Sequence, residues 1–243
     1  MLPWMIGSSA CAVSLALLFA AQNQKLTFYV IWRFMSASTN ESLRPAKEKL
    51  FALAGPLAGT IVEIGPGFGE TLQFYADSSR IDNLHLIEPN QLMHVRLREA
   101  TRKAGLSPDR VTLHAADAAS LPLPAGSADA VVCSLVLCSV RNQPAAVAEI
   151  RRVLRPGGRL VWIEHVVALS GPAALAQRIL MAVGLWRLCG DGCDLRRDTG
   201  RALRAAGAWD AWRSAATRGP APWTPIEYGV AVREAGPADQ QRR

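Results

Sequence analysis

Three acids and three glycines are spaced through the first half of the chain so that they could hold a charged nucleoside. Glu63-Ile64-Gly65-Pro66-Gly67-Phe68-Gly69 follows the apolar run Thr60-Ile61-Val62 and precedes Glu70 to Tyr75, which has the pattern of a helix start. Strand, glycine turn and helix bring bare backbone against a nucleotide, because glycine takes dihedrals that other residues avoid and leaves room for the ligand. The spacing is G-x-G-x-G, with Glu63 two residues ahead of the first glycine. A dinucleotide loop reads G-x-G-x-x-G and seats a diphosphate on the helix N-terminus. A carboxylate beside the loop repels a diphosphate but attracts the ammonium of a methionine moiety. The expected cofactor is therefore S-adenosylmethionine, cradled by Glu63, Gly65, Gly67 and Gly69. Glu88 stands nineteen residues after Gly69, the offset at which an acid accepts from both ribose hydroxyls. Asp117 follows a third β-rich run and is placed to accept from the adenine amino group.

These residues need a scaffold that presents successive strand ends side by side, and the rest of the sequence supplies one. From about Lys47, β-rich runs alternate with helical ones, the sign of a parallel sheet. The runs Thr60–Ile64, Asn83–Ile87, Arg110–Ala115, Ala128–Ser134 and Arg159–Ile163 are expected strands, and Ala145–Leu154 is an expected helix. The late β-like runs Ala208–Ala215 and Ile226–Val232 close the sheet as an antiparallel pair. The expected fold class is α/β: a Rossmann-like, mainly parallel seven-stranded sheet with helices on both faces. Residues 36–235 form this domain. Within it, residues 169–206 are a helical insertion, whose apolar part Gly171–Leu188 would cover a lipophilic acceptor. Residues 236–243 read as a disordered tail.

The first 35 residues read as a hydrophobic membrane anchor. Met1 to Gln24 carries no charged side chain, and Cys11 to Ala21 is rich in Ala, Leu, Val and Phe. No basic residue precedes Lys25, as a cleaved signal would want, and the basic residues that follow keep the domain on the cytosolic side. Leu26 to Met35 is too short to span and reads as an aromatic interfacial segment. The net charge of +7 suits anionic lipid. Its basic residues are dispersed, with no basic run or RNA-binding aromatic signature, so no nucleic-acid partner is expected. Nor is an obligate protein partner. The five cysteines, Cys11, Cys133, Cys138, Cys189 and Cys193, include no C-x-x-C pair. They are expected to be reduced packing residues, with no metal site.

The motifs together resemble the class I S-adenosylmethionine-dependent methyltransferases. The general matches are Val62–Gly69, Ile87-Glu88-Pro89-Asn90, Asp129-Ala130-Val131-Val132 and Leu154-Arg155-Pro156-Gly157-Gly158. Three segments are similar to membrane-associated alkyl thiol methyltransferases: Val132–Val140, Trp162-Ile163-Glu164-His165-Val166 and Gly190–Thr199. The resemblance covers residues 45–232, and within it Leu135 is assigned to the cofactor. It implies methyl transfer to a small lipophilic acceptor, a thiol first, on membranes of the endoplasmic reticulum or lipid droplets if the source is eukaryotic. Alternatives are a quinone, phenol or lipid amine acceptor, or a non-catalytic membrane protein that keeps the fold. The thiolate is the nucleophile, so a base is wanted. His165, with Glu164 beside it, is the candidate, unless it bonds the backbone and shapes the pocket. Glu164 and Asp191 are candidate substrate contacts, although an Asp between glycines also suits a turn. Departures from the pattern lie at Glu88, where an Asp is frequent, at Pro66, and in a poorly matching C-terminal part.

Overall fold

The computed structural model describes residues 18–75 and 78–235. Its strands are β1 Gly59–Ile64, β2 Ile81–Ile87, β3 Val111–His114, β4 Ala128–Ser134, β5 Leu154–His165, β6 Trp209–Thr217 and β7 Ile226–Arg233. They form one sheet in the order β3-β2-β1-β4-β5-β7-β6. β1 to β5 run parallel, and β7 lies antiparallel between β5 and β6. This is the mainly parallel seven-stranded sheet expected. The strand order reverses between β1 and β4, and a crevice opens at their carboxyl ends.

Side-chain alternation splits the core into two layers. Ile61, Ala130, Val132, Val161 and Ile163 face one side of the sheet. Val62, Ile64, Val131, Cys133, Leu160 and Trp162 face the other. The first side is covered by α1 (Gln24–Ala54) through Leu43, Leu50 and Phe51 and by α2 (His94–Lys103) through Leu97. The second is covered by α3 (Gln143–Val153) through Val147 and Ile150 and, past α4 (Gly171–Val183) and α5 (Leu185–Cys189), by α6 (Thr199–Ala205) through Leu203.

Three local expectations change. The glycine loop is followed by a 3₁₀ turn, Leu72–Phe74, and not by a helix starting at Glu70. Gly65, Gly67 and Gly69 all take positive φ, so the chain is still turning where a helix would begin. The expected single helix from Gly171 to Leu188 is two, divided at Gly184, whose left-handed φ of 78° ends α4. Strand β5 begins at Leu154, five residues ahead of the expected Arg159: Leu154 already pairs with Ala128, and the register shift between Ala128 and Ala130 absorbs the bend.

The N-terminal picture changes most. Residues 1–17 of the expected anchor lie outside the described residues. Among the described residues no helix is long and apolar enough to cross a membrane. The proposed boundary at residue 35 falls inside α1, which runs unbroken for 31 residues. Its second half buries Leu43, Ala46, Lys47, Leu50, Phe51 and Ala54, the three-and-four spacing of one helical face. Its first half lies partly on the domain and partly open. Tyr29 meets Phe68 edge-on with ring centroids 5.8 Å apart, while Val30, Phe34 and Met35 stay exposed. The purely interfacial reading of Leu26 to Met35 is corrected accordingly.

Candidate active site

The loop after β1 is shaped by what glycine lacks. Gly65 has φ +63°, and a Cβ there would sit 2.5 Å from Val136 Cγ2 on the loop after β4. Gly67 has φ +59°, and its Cβ would meet Glu70 Oε2 at 3.1 Å and Trp32 Nε1 at 3.3 Å. The two loops therefore touch at the crevice with no room for a side chain. Gly69 is different. It is buried against Ala100, Leu72 and Leu97, lies outside the cavity lining, and serves the packing of the loop.

The acids divide by what they bond. Glu63 is fully buried; its oxygens accept from the Thr71 hydroxyl and, at 2.5 Å, from the Tyr75 hydroxyl. Burial raises its pKa against those bonds. Glu63 thus braces the loop from beneath and also lines the cavity. Glu70, not singled out by the sequence reading, is a second carboxylate beside the loop. Its Oε1 accepts from Trp32 Nε1 at 2.8 Å and its Oε2 from the Phe68 amide at 3.1 Å, and it lines the cavity. Glu88 directly follows β2, as expected. Its Oε2 accepts from the Gly67 amide at 3.1 Å and its Oε1 from the Asn90 amide at 2.8 Å. Burial pushes its pKa up to about 7, with Asp191 and Glu70 adding repulsion against the two amides. Asp117 is not brought to the cavity. It is exposed, and its Oδ1 accepts from the Ala119 amide in its own turn.

Helix α1 roofs this cradle. Lys25 Nζ donates to the Pro89 carbonyl at 2.7 Å, and Asn90 Nδ2 donates to the Lys25 carbonyl at 2.9 Å. Lys47, only 2% exposed, donates to Asn40 Oδ1 at 2.7 Å and lines the cavity near Glu63 and Glu70. Its place on the apolar stripe of α1 was the available signal for a buried charge. Trp32 offered none, since its partner lies 38 residues away.

The far wall comes from the loops after β4 and β5 and from the turn after α5. Glu164 does not line the cavity, and the substrate role expected of it is corrected. It is fully buried, and its carboxylate accepts the amides of Val136 at 3.0 Å, Leu137 at 2.9 Å and Cys138 at 3.2 Å. Burial lifts its pKa to about 7 while the three amides pull it down. The clamp holds Leu135, at φ 55°, in a left-handed conformation that only glycine adopts freely. Asp191 also takes a left-handed φ, 50°. Both Leu135 and Asp191 line the cavity, as expected.

His165 is on the same wall, but its Nδ1 faces two thiols: Cys193 Sγ at 3.5 Å and Cys138 Sγ at 3.8 Å. The two sulfurs are 3.4 Å apart. Contact with Cys138, followed by His165, lowers the Cys193 pKa, and the Cys138 pKa is raised correspondingly. Sequence reasoning treated both cysteines as packing residues, because 55 positions separate them. The fold joins them through the Asp194 amide, 2.9 Å from the Cys138 carbonyl, and through Arg197, which donates to the Leu137 carbonyl at 2.7 Å and the Val140 carbonyl at 2.6 Å.

Cradle and far wall enclose one cavity of about 530 Å³, walled otherwise by Phe28, Met35, Trp186 and Trp223. The cradle fits S-adenosylmethionine: two glycines a side chain would fill, a buried acceptor carboxylate at the ribose position, and no arginine or lysine cluster for a diphosphate. Comparison with known proteins agrees. A methyltransferase-domain family model matches residues 62–162. The human thiol S-methyltransferase TMT1A is 32% identical over 215 residues, 84% of this chain and 85% of that protein. The human thiol S-methyltransferase TMT1B is 33% identical over 189 residues, 75% of each chain. The structure of geranyl diphosphate methyltransferase in complex with S-adenosylmethionine superposes with a TM-score of 0.58 at 16% identity, covering 78% of this chain and 84% of that one. The chain belongs to the class I S-adenosylmethionine-dependent methyltransferases, the family that these thiol S-methyltransferases share.

Proposed function

We propose that the enzyme methylates small lipophilic thiols at a membrane surface. The observation that carries the acceptor assignment is the continuity of the cavity. One end is the cofactor cradle, the other is the corner of Cys138, His165 and Cys193, and the walls between are largely apolar and aromatic. The named relatives support a thiol. Bound cofactor supplies an electrophilic methyl on a sulfonium. The chain's own part is to hold the acceptor sulfur in line with that methyl and keep water away. Gly65 and Gly67 would leave space for the cofactor, Glu88 would accept from its ribose hydroxyls, and Glu70, which lines the same cavity, would offer a carboxylate to the ammonium. Glu164 fixes the loop whose Leu135 and Val136 line the cavity. Asp117 and Gly69 act at one remove, through loop geometry. His165 receives the acceptor sulfur. Its Nδ1 is turned to the two thiols.

Radiolabelled S-adenosylmethionine with a panel of thiols, phenols and amines tests this. Label is expected in thioethers; transfer to phenols or amines alone would replace the thiol by one of the other acceptors.

Membrane association rests on a separate observation. Leu26, Val30 and Phe34 on α1 and Leu175, Ile179 and Val183 on α4 are exposed large apolar residues at helical spacing. The full chain is expected to sediment with anionic vesicles. Changing Leu175, Ile179 and Val183 to Ser together should weaken that sedimentation, and unchanged sedimentation would remove α4 from the contact.

A further inference from the structure

We propose that Cys138, His165 and Cys193 bind a divalent, borderline-soft metal ion, zinc in type, whose open fourth position takes the acceptor thiol. Among the described residues this is the one group of three potential ligands that lies together, with all ligand atoms within 4.8 Å of one another. The geometry is more specific than proximity. A tetrahedral zinc with Zn–S about 2.3 Å and Zn–N about 2.0 Å puts two sulfurs about 3.8 Å apart and each sulfur about 3.5 Å from the nitrogen. The edges here are 3.4 Å between sulfurs and 3.5 and 3.8 Å from sulfur to nitrogen. The three atoms already form one face of such a tetrahedron.

The surroundings match a site that is held in shape and open on one side. Met181 and Leu195 pack around the two sulfurs, with Trp186 and Trp223 behind them. The Cys138 amide is fixed by Glu164, and its carbonyl is tied to the turn that carries Cys193 by the Asp194 amide. All three ligands also line the cavity, so the fourth position faces the acceptor. Two thiolates and one imidazole with an exchangeable fourth ligand is a catalytic donor set for zinc, not a closed structural one. The three residues also fall one each in the three segments that resemble thiol methyltransferases.

The inference deepens the thiol reading and rests on it for its chemistry. Two thiolates neutralise the ion, and a bound acceptor thiolate leaves the centre with one negative charge facing a sulfonium. The acceptor's proton goes to water on binding. A sulfur lone pair then forms the new S–C bond as the methyl's old C–S bond breaks, its electron pair staying with the departing thioether. The methylated product is a neutral thioether and a weaker ligand, so it leaves. His165 is then a ligand rather than a base.

Cobalt(II) tests the site without turnover. Full-length protein, stripped of metal with a chelator and kept under reductant, is titrated with cobalt(II). One equivalent should give a thiolate-to-cobalt charge-transfer band and the intense visible bands of tetrahedral cobalt. Cys138→Ser and Cys193→Ser should each lower affinity by at least about a hundredfold, while Cys189→Ser keeps the spectrum. Adding a small lipophilic thiol without cofactor should shift the visible bands, and the matching alcohol should not. Absence of the bands, or their persistence in the Cys138→Ser, Cys193→Ser double variant, overturns the site even if thiols are methylated. A spectrum that no thiol perturbs overturns its role in holding the acceptor. A cobalt site in an enzyme that methylates only phenols or amines leaves the metal standing and sinks the thiol reading.

Discussion

The two ends of the cavity are built on opposite plans. The cofactor end is written locally: one loop, one strand end and a glycine spacing lie within 26 residues, from Glu63 to Glu88. The acceptor end is assembled from loops far apart in the chain, and its coherence depends on a buried carboxylate that reaches neither ligand. Both ends use an acid held by backbone amides, Glu88 in one and Glu164 in the other. The two acids nevertheless differ in kind. Glu88 has two amides and faces the cavity. Glu164 has three and faces only protein. One keeps a face toward open space; the other is a fastening.

That contrast breaks most severely at Glu164. Glu164→Ala leaves three amides without their acceptor, at about 1 kcal/mol or more each. A loss of about 3 kcal/mol corresponds to a midpoint lower by roughly 6–12 °C for a chain of this size. Thermal unfolding should show it, and a drop of a degree or two would mean the loop holds itself. At the cofactor end the largest effect is expected at Gly65. Gly65→Val combines a left-handed backbone with a side chain driven into Val136, and calorimetry should find S-adenosylmethionine affinity reduced by about a hundredfold. Affinity within threefold of the wild type would mean the two loops can part.

Glu88 sharpens the comparison through pH. Its pKa of about 7 lies above the ordinary carboxylate value. The folded, cofactor-free enzyme holds this proton more tightly than the unfolded chain does, so the group's contribution to stability falls as pH rises from about 4.5 towards 7. Cofactor binding wants the carboxylate, so affinity should climb as pH rises to about 7 and then level. Glu88→Gln should bind one to two decades more weakly at pH 8, through a loss of about 1–3 kcal/mol, and flatten the profile. A wild-type profile already flat between pH 5.5 and 8 would show that Glu88 stays ionised. The smallest change is Trp32→Phe. It keeps an aromatic side chain and removes one hydrogen bond to Glu70, worth about 1 kcal/mol, so S-adenosylmethionine should bind roughly fivefold more weakly. An unchanged constant would make α1 a bystander to the cradle.

The same difference explains what could be read from the sequence. Strand β4 was legible to the residue, because its buried stretch Ala130–Cys133 is a continuous apolar run, as parallel strands covered on both faces are. Gly65, Gly67 and Glu88 were legible because a turn that needs positive φ and an acid at a fixed offset leave marks in consecutive residues. Asp117 was misplaced by the same logic: a strand end gives a position along the chain, not a direction for the side chain. Glu70 was hidden by an expected helix that proved to be a 3₁₀ turn. The meeting of Cys138 and Cys193 was out of reach, because it depends on how the insertion returns to the sheet. Trp32 was read for its hydrophobicity, while its indole N–H finds Glu70 only after α1 has crossed the sheet.

Helix α1 alters how a shortened protein would behave. It is at once the beam whose Leu43, Leu50 and Phe51 sit in the core and the cover whose Phe28 and Trp32 close the cavity. Trimming the chain at residue 35 to shed its apolar leader would keep the beam and discard the cover, along with the Lys25 and Asn90 fastenings. Such a protein would fold around its sheet yet hold cofactor in an open trough. Its inactivity would report a missing roof.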